Sequence, residues 1–328
     1  MGELYGIAMA KRLDHGSEPH HHRKGVGFYV LRGVASISTA MLIGLAILIA
    51  WPASNSAVKG ADGDTIPGSF AELEAVPLGD HDQWIEIRGV SFDNPVLLWL
   101  DGGPVEAGLS LSRIFLADLN ADSVVVGWDQ RGAGKSYPAL DPPSALTLDQ
   151  AVADTIELTN YLRERFDEEK IFVAGGAWGS ALGVLAVQQR PDLYHAWIGS
   201  GQMASQLETD RRIYTDLLSY AEQTGDTGLA ASMRGYGEPP YDDVLTYAYV
   251  MEQHDKLTPE YDGSDAVQAR IDEVGPFGVF GSDYTFIEKT NILRGLPDMF
   301  SVMYPQVAGR RLPGRCPTPG GSRVHPAG

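Results

Sequence analysis

Basic residues and cysteine are scarce in this chain of 328 residues. Only 25 lysines and arginines stand against 43 aspartates and glutamates, which gives a formal net charge of −18. A chain this acidic repels phosphate backbones, which argues against nucleic acid as a partner. The one cysteine, Cys316, excludes an intrachain disulfide, although a core of this size needs none. No motif for a metal or a cofactor is present, so we expect neither.

A stretch of 19 residues without a formal charge runs from Gly33 to Trp51. A helix of that length is about 28 Å long, close to the thickness of a bilayer's hydrocarbon core. Basic residues precede it, which predicts a single-pass membrane protein with a cytoplasmic N-terminus and an extracytoplasmic body. The alternative is a cleaved signal peptide and a secreted body, because small residues follow the stretch at 53–57.

Composition divides the chain into six segments. We expect a cytoplasmic basic arm (1–32), a transmembrane helix (33–51), a linker (52–70), an α/β core (71–202), a helical cap (203–300) and an aberrant tail (301–328). Strands alternate with helices in the core, which predicts a mostly parallel sheet with right-handed crossovers. The cap is inserted after a strand, where it would lie over the ligand crevice.

Short apolar or alternating runs mark the predicted strands of the core, at 84–87, 96–100, 124–128, 170–174 and 196–199. A helix is predicted over 148–166, because apolar residues recur there every three or four positions. Thr147 and Gln150 have the spacing of a capping box at its start.

The strand at 170–174 runs directly into Gly175-Gly176-Ala177-Trp178-Gly179. A strand that turns into a helix through G-x-S-x-G presents a serine in a strained elbow, and the next N–H points into the oxyanion hole. This segment has that layout with Ala177 at its centre. Alanine has no lone pair to attack a carbonyl, so acyl-enzyme chemistry cannot start from it.

Three ordered motifs resemble those of the proline iminopeptidases, over roughly residues 70 to 306. The elbow at 175–180 is similar to their G-G-S-W-G-S, and 129–136 (DQRGAGKS) is similar to their D-Q-R-G-x-G-x-S turn. Residues 100–105 (LDGGPV) resemble their L-H-G-G-P-G oxyanion loop. The resemblance implies an α/β-hydrolase fold with a helical cap. It also implies a serine aminopeptidase that releases an N-terminal residue, often proline, from short peptides.

The resemblance assigns the oxyanion loop to Gly102, Gly103 and the N–H of Trp178, and the nucleophile position to Ala177. Without a serine there, the activity it implies is not expected from this chain.

Two positions of the loop depart from the family pattern. Asp101 replaces a histidine, and a carboxylate beside a hole for a developing oxyanion is electrostatically unfavourable. Val105 replaces the last glycine and restricts the backbone. The simplest interpretation of Asp101 is a solvated loop acid.

The remaining candidates are interpreted as structural. Asp129, Arg131 and Gly132 belong to the motif turn, and we expect the two charged residues to brace it. Ser180 falls on the first turn of the helix after the elbow, where its hydroxyl should point away from the elbow tip.

No catalytic acid or base can be identified. The histidines after Ala177 are His195, His254 and His325, and none follows a late strand of the sheet, where the family order would place the base.

The tail changes character abruptly. Residues 309–328 contain four arginines and no acid. One interpretation is a reading-frame change that removed the last strands, since one permissible set of codons, read one base along, gives R-L-E-V-P-V-Y-I-L-Q-G. The alternative is a natural disordered tail.

Three hypotheses for function follow from the sequence. The first is an aminopeptidase-like hydrolase that is inactive in this form. The second is a pseudoenzyme that binds short peptides or amides without cleaving them. The third is a decayed, truncated gene product.

Overall fold

The computed structural model describes residues 26–60, 62–103, 108–257, 269, 272–275 and 278–312. Two compact units divide the chain, residues 1–48 and 49–328, and each is described by itself.

The described part of the first unit is helical. Helix α1 covers Val26–Ala50, and its stretch Tyr29–Ala50 is long and apolar enough to cross a membrane, with a mean hydropathy of 2.2. The predicted apolar helix is therefore present. One such helix near an N-terminus fits a signal sequence as well as an anchor, so the predicted topology stays a prediction.

The second unit is built on a six-stranded sheet of order β1-β2-β4-β3-β5-β6. The strands are β1 (Phe70–Leu78), β2 (His81–Gly89), β3 (Val96–Leu100), β4 (Val124–Asp129), β5 (Ile171–Gly176) and β6 (Tyr194–Ser200). β1 and β2 pair in antiparallel fashion, as do β2 and β4, whereas β3, β4, β5 and β6 run parallel. Strands β3 and β4 are almost wholly buried, which explains their continuous apolar sequences.

Seven further α-helices of this unit are described over their whole length: α2 (Gly108–Phe115), α3 (Leu148–Arg165), α4 (Ala177–Gln189), α5 (Gln206–Thr224), α6 (Thr227–Tyr236), α7 (Val244–His254) and α8 (Phe286–Ala308). Thr147 caps α3 as predicted, since its side chain accepts a hydrogen bond from the Gln150 N–H. The Gln150 side chain donates instead to Asp154, so only half of the predicted capping box forms.

Helices α5, α6 and α7 form a helical lobe, and helix α8 links this lobe to the core. Its residues Met299, Met303 and Val307 pack in the main hydrophobic core, and Phe300 and Tyr304 pack against the lobe. The helix continues to Ala308, and Leu312 beyond it is also buried in the core. The segment expected to begin an aberrant tail at 301 is therefore part of the fold as far as Leu312. Residues 313–328, with Cys316 and His325, lie outside the described residues, and the loss of late strands stays a prediction.

Strand β6 forms one edge of the sheet. Among the described residues it pairs with β5 alone, and six of its seven residues are partly or fully exposed. Ile198 is 55% exposed, and the strand contains no lysine, arginine or acid. Natural edge strands usually carry charge or proline that prevents pairing with another chain, and this strand has neither.

Candidate functional site

The turn from β5 into α4 is a nucleophile elbow in its backbone. Ala177 has φ +45°, the left-handed conformation that is rare for residues other than glycine, and the residue is exposed. Helix α4 begins at this residue. The elbow therefore keeps its strained bend although its central side chain has no hydroxyl.

Close contact with β3 fixes the first turn of α4. A Cβ on Gly179 would lie 1.9 Å from the Leu100 carbonyl oxygen and 2.7 Å from that of Asp101. Only glycine allows this approach, which explains the second glycine of the elbow motif. The close approach of Gly179 to Leu100 and Asp101 brings the start of the predicted oxyanion loop against α4, the helix that follows the elbow.

The Ser180 hydroxyl is used within the fold, as predicted. It donates to the Ala177 carbonyl oxygen and accepts from the Met203 N–H at 2.8 Å. Ser180 is fully buried. Both bonds hold the hydroxyl away from the exposed side of the elbow.

Gln130 bridges the elbow and the predicted oxyanion loop. Its Oε1 accepts from Trp178 Nε1 at 3.0 Å, and its Nε2 donates to the Asp101 carbonyl oxygen at 3.4 Å. One buried amide therefore holds both Trp178, the residue after Ala177, and the start of the predicted oxyanion loop at Asp101. The sequence contained this signal in the motif at 129–136, but only the fold shows which residues the amide joins.

Asp101 is not the solvated acid expected from the sequence. Its residue is 5% exposed, and its Oδ1 accepts from Trp99 Nε1 at 2.8 Å. A Cβ on Gly108 would lie 2.2 Å from Asp101 Oδ2, which places the carboxylate beside the N-terminus of α2. Positive helix ends stabilise negative charge, so a structural reason exists for this acid.

The rest of the predicted oxyanion loop is only partly described. Gly102 is half-buried, and Gly103 is exposed with φ +112°, a conformation that requires glycine. Val105 lies outside the described residues. The predicted roles of Gly102, Gly103 and the Trp178 N–H stay predictions.

Asp129 ends β4 inside the motif turn and is completely buried. It accepts from the Lys135 N–H at 2.8 Å and from the Tyr284 hydroxyl at 2.7 Å. Burial raises the pKa of Asp129 to about 6, although the bonds from Tyr284 and Lys135 act to lower it. The carboxylate ties β4 and its turn to the segment before α8.

Arg131 braces the same turn from the other side. It forms a buried ion pair with Asp154 at 3.0 Å and donates to the carbonyl oxygens of Leu78 and Ala139. Gly132 follows with φ +88°, and a Cβ there would lie 2.6 Å from the Met299 sulfur. The contacts of Asp129 and Arg131 are those of the bracing role that the sequence suggested.

In the part of the chain that the structure describes, no histidine is hydrogen-bonded to the elbow at residues 175–180. His195 lies at an irregularity in the pairing of β6 with the amino end of β5, and its ring contacts Phe172, which is five residues or about 16 Å along the strand from Ala177. His81 lies at the start of β2, three strands from β5. His254 ends α7 in the lobe.

Among the residues that the structure describes, no group of three or more His, Cys, Asp or Glu side chains is placed to hold a metal ion.

The chain is similar in sequence to a serine aminopeptidase family and to one probable aminopeptidase. A model of the serine aminopeptidase S33 family matches residues 111–221. The probable aminopeptidase YbaC of Bacillus subtilis (strain 168) is 32% identical over 187 residues, which are 56% of this chain and 59% of that protein. The match thus spans less than two thirds of that relative.

Two solved structures that resemble this chain are each less than a fifth identical to it in sequence. A proline iminopeptidase-related protein from Thermus thermophilus is 18% identical, with a TM-score of 0.42, over 69% of this chain and 86% of its own. An epoxide hydrolase from Vigna radiata is also 18% identical, with a TM-score of 0.38, over 68% and 74% of the two chains.

The mostly parallel sheet, the strand–elbow–helix turn and the family match define an α/β-hydrolase fold. Within that class, the resemblance to the proline iminopeptidase-like family that the three motifs indicated is confirmed. The chain resembles aminopeptidase-like α/β-hydrolases in sequence and fold, and its activity is a separate question, because function depends on the site.

Proposed function

We propose that this chain is an aminopeptidase-like α/β-hydrolase that does not cleave peptides in its present form. The observation that carries the proposal is Ala177, which occupies the bent elbow with a methyl group in place of a nucleophile. Acyl transfer needs a hydroxyl or thiol at this point and a base to activate it.

The neighbouring hydroxyl does not compensate. Ser180 is buried one turn along α4 and is bonded to the Ala177 carbonyl oxygen and the Met203 N–H. An attacking serine needs a base within about 3 Å of its oxygen. Both hydrogen bonds of the Ser180 hydroxyl are to backbone groups, and neither is to a base.

Binding of a short peptide or amide without cleavage is the second candidate. It is favoured by the retained positions of the elbow and of the loop after Asp101, which Gln130 ties together. Loss of a nucleophile does not by itself remove affinity for a ligand, because contacts that hold the ground state do not depend on the attacking group.

The N-terminal helix adds a proposal on location. We propose that α1 anchors the protein in the membrane with the acidic body outside, because Arg32 and other basic residues precede the uncharged stretch 33–51, and a stretch of this length suits a bilayer. Secretion after cleavage is the alternative, and the mass of the mature protein distinguishes the two.

The test uses the full chain in detergent with a prolyl chromogenic amide and a fluorophosphonate probe, which reacts with activated serines. Unmodified protein, Ala177→Ser and Ser180→Ala are compared. We expect no turnover and no labelling in the unmodified chain. We also expect none in Ala177→Ser, since no histidine among the described residues is bonded to the elbow.

Each other outcome has a defined meaning. Turnover by the unmodified chain would overturn the proposal, and its loss in Ser180→Ala would identify the nucleophile. Turnover in Ala177→Ser alone would show that the chain contains a working acid and base. Saturable quenching of tryptophan fluorescence by a prolyl amide, without turnover, would support the binding function.

A further inference from the structure

Residues 54–58, which we call the strap, are attached to the folded body although the sequence predicted a linker there. The Ser54 N–H donates to the Ser282 carbonyl oxygen at 2.8 Å, and Asn55 Oδ1 accepts from Arg88 Nη1 at 2.8 Å. Val58 is only 4% exposed. The Val58 carbonyl oxygen also accepts from the Ile66 N–H at 3.0 Å. The strap is thus held by two backbone bonds, one side-chain bond and a buried valine.

Beneath the strap lies an ion pair on β2. Arg88 Nη1 donates to Glu86 Oε1 at 2.8 Å, and the two residues are 5% and 1% exposed. One guanidinium nitrogen therefore contacts both the strap and Glu86. Removal of two charges from water is costly, and one bond between them does not fully offset it.

Two further charged residues face this pair from neighbouring elements. Asp283, before α8, accepts from Ser110 Oγ at 2.6 Å and pairs with Arg113 of α2 at 3.2 Å. Arg113 also reaches the exposed Glu273 at 3.8 Å. The flanking strands place no charged residue directly opposite Glu86, where β1 has Leu73 and β4 has Gly127.

The cluster is short of hydrogen-bond partners on the described protein atoms. Four buried atoms have none among those residues: Glu86 Oε2, Arg88 Nε, Asn55 Nδ2 and Asp283 Oδ1. A carboxylate is stabilised by donors, so one with a single charged donor is poorly supported in its ionised form. Burial raises the pKa of Glu86 to about 7; Arg88 opposes this and Asp283 adds to it.

We propose that the strap is a proton-dependent latch, docked on the body when Glu86 is neutral and released more readily when Glu86 ionises. Detachment of Asn55 from Arg88 would open the cluster to water and restore ordinary hydration to the Glu86 carboxyl. The carboxyl then loses its proton more easily. By linkage, a transition that releases a proton is favoured as the pH rises.

Hydrogen exchange of the full chain in detergent tests the latch. The peptide over 51–60 is followed at pH 5.5 and 7.5, with rates corrected for intrinsic exchange. We expect the protection of the Ser54 amide to fall by on the order of tenfold between these values, which follows from a docked pKa near 7 and an ordinary one when open.

Two matched substitutions isolate the residue responsible. Glu86→Gln keeps the shape of the neutral side chain, so strap protection should become independent of pH and stay at its acidic level. Glu164→Gln makes the same change on the exposed side of α3 and should leave the tenfold fall intact. Amides of β5 report global unfolding and should stay more protected than the strap in every variant.

Asn55→Ala provides a second approach that leaves Glu86 and Arg88 unsubstituted. It should lower strap protection at both pH values, because it removes the bond to Arg88. Strap protection that does not change with pH in the unmodified chain, or that rises with pH, would refute the latch. So would a fall that persists in Glu86→Gln.

Discussion

Gly179 and Leu100 approach so closely that no side chain fits between α4 and the end of β3: a Cβ on Gly179 would lie 1.9 Å from the Leu100 carbonyl oxygen. This contact sets the helix of the elbow against the strand that leads into the predicted oxyanion loop. The two halves of the candidate site are therefore joined through backbone atoms.

We predict that Gly179→Ala lowers the free energy of unfolding by about 2 kcal/mol or more, because backbone atoms must move to admit the methyl group. Gly235→Ala, in α6, is the matched control, since no atom lies within 4 Å of the position that its Cβ would take, and it should stabilise by about 0.5 kcal/mol. Urea unfolding measures both. Equal effects would show that the contact is not tight in solution.

We predict that Ala177→Gly stabilises the protein, whereas a change from alanine to glycine inside a helix normally destabilises it. The left-handed φ of +45° costs alanine about 1 kcal/mol, and glycine adopts it freely. We expect the free energy of unfolding to rise by up to about 1 kcal/mol. Ala181→Gly, inside the same helix, should lower it by about 1 kcal/mol or more. A destabilising Ala177→Gly would mean that the bend is relaxed in solution.

The buried pair of Arg131 and Asp154 should dominate the stability of the motif turn. Asp154 is fully buried and accepts from Arg131 and from the side chains of Gln83 and Gln150. Loss of either charge leaves the other unpaired, so each alanine substitution should cost about 3–5 kcal/mol.

A double-mutant cycle gives the coupling of that pair directly, with a value of about 1–3 kcal/mol expected. The exposed pair of Arg212 and Glu208 on α5 is the control, and its coupling should not exceed about 0.5 kcal/mol. Similar couplings at the two sites would contradict the bracing role of Arg131.

Asp129 should make the protein less stable as the pH rises from about 4 to about 6. Burial raises the pKa of Asp129 to about 6 in the folded state, whereas the unfolded value is about 3.9. The stabilisation from Asp129 is therefore complete when the pH is below its unfolded-state pKa. It is lost as the pH rises through its folded-state pKa. The fall is about 1 kcal/mol per pH unit.

Asp129→Asn should reduce this slope, measured as urea unfolding at several pH values. Glu86 titrates in an overlapping range and keeps part of the slope. Asp216→Asn, on the exposed surface of α5, should leave the slope unchanged. A slope that is unaffected by Asp129→Asn would place the titration elsewhere.

Local sequence patterns predicted the elements of the core well, because each carried its own periodicity and stops. The strand at 96–100 matches its predicted bounds, and the helix predicted over 148–166 ends within one residue. Strand β1 was missed, because its acidic residues Glu72 and Glu74 made it look like solvent-exposed chain.

Relationships between distant residues could not be read in the same way. The pairing of Arg131 with Asp154 and the bridge of Gln130 between Trp178 and Asp101 depend on which strands are neighbours. Asp101 was misjudged for this reason, since its burial is set by Trp99 and by the start of α2. The attachment of the strap likewise depends on Arg88, which lies 33 residues away.

The bend at Ala177 also has an evolutionary consequence. Alanine and serine codons can differ by a single base, so one point mutation would place a hydroxyl on an elbow whose backbone is already turned to display it. A serine placed there would still need a base, and among the residues that the structure describes no histidine is hydrogen-bonded to the elbow. The bent backbone at 177 is thus one base change away from displaying a hydroxyl.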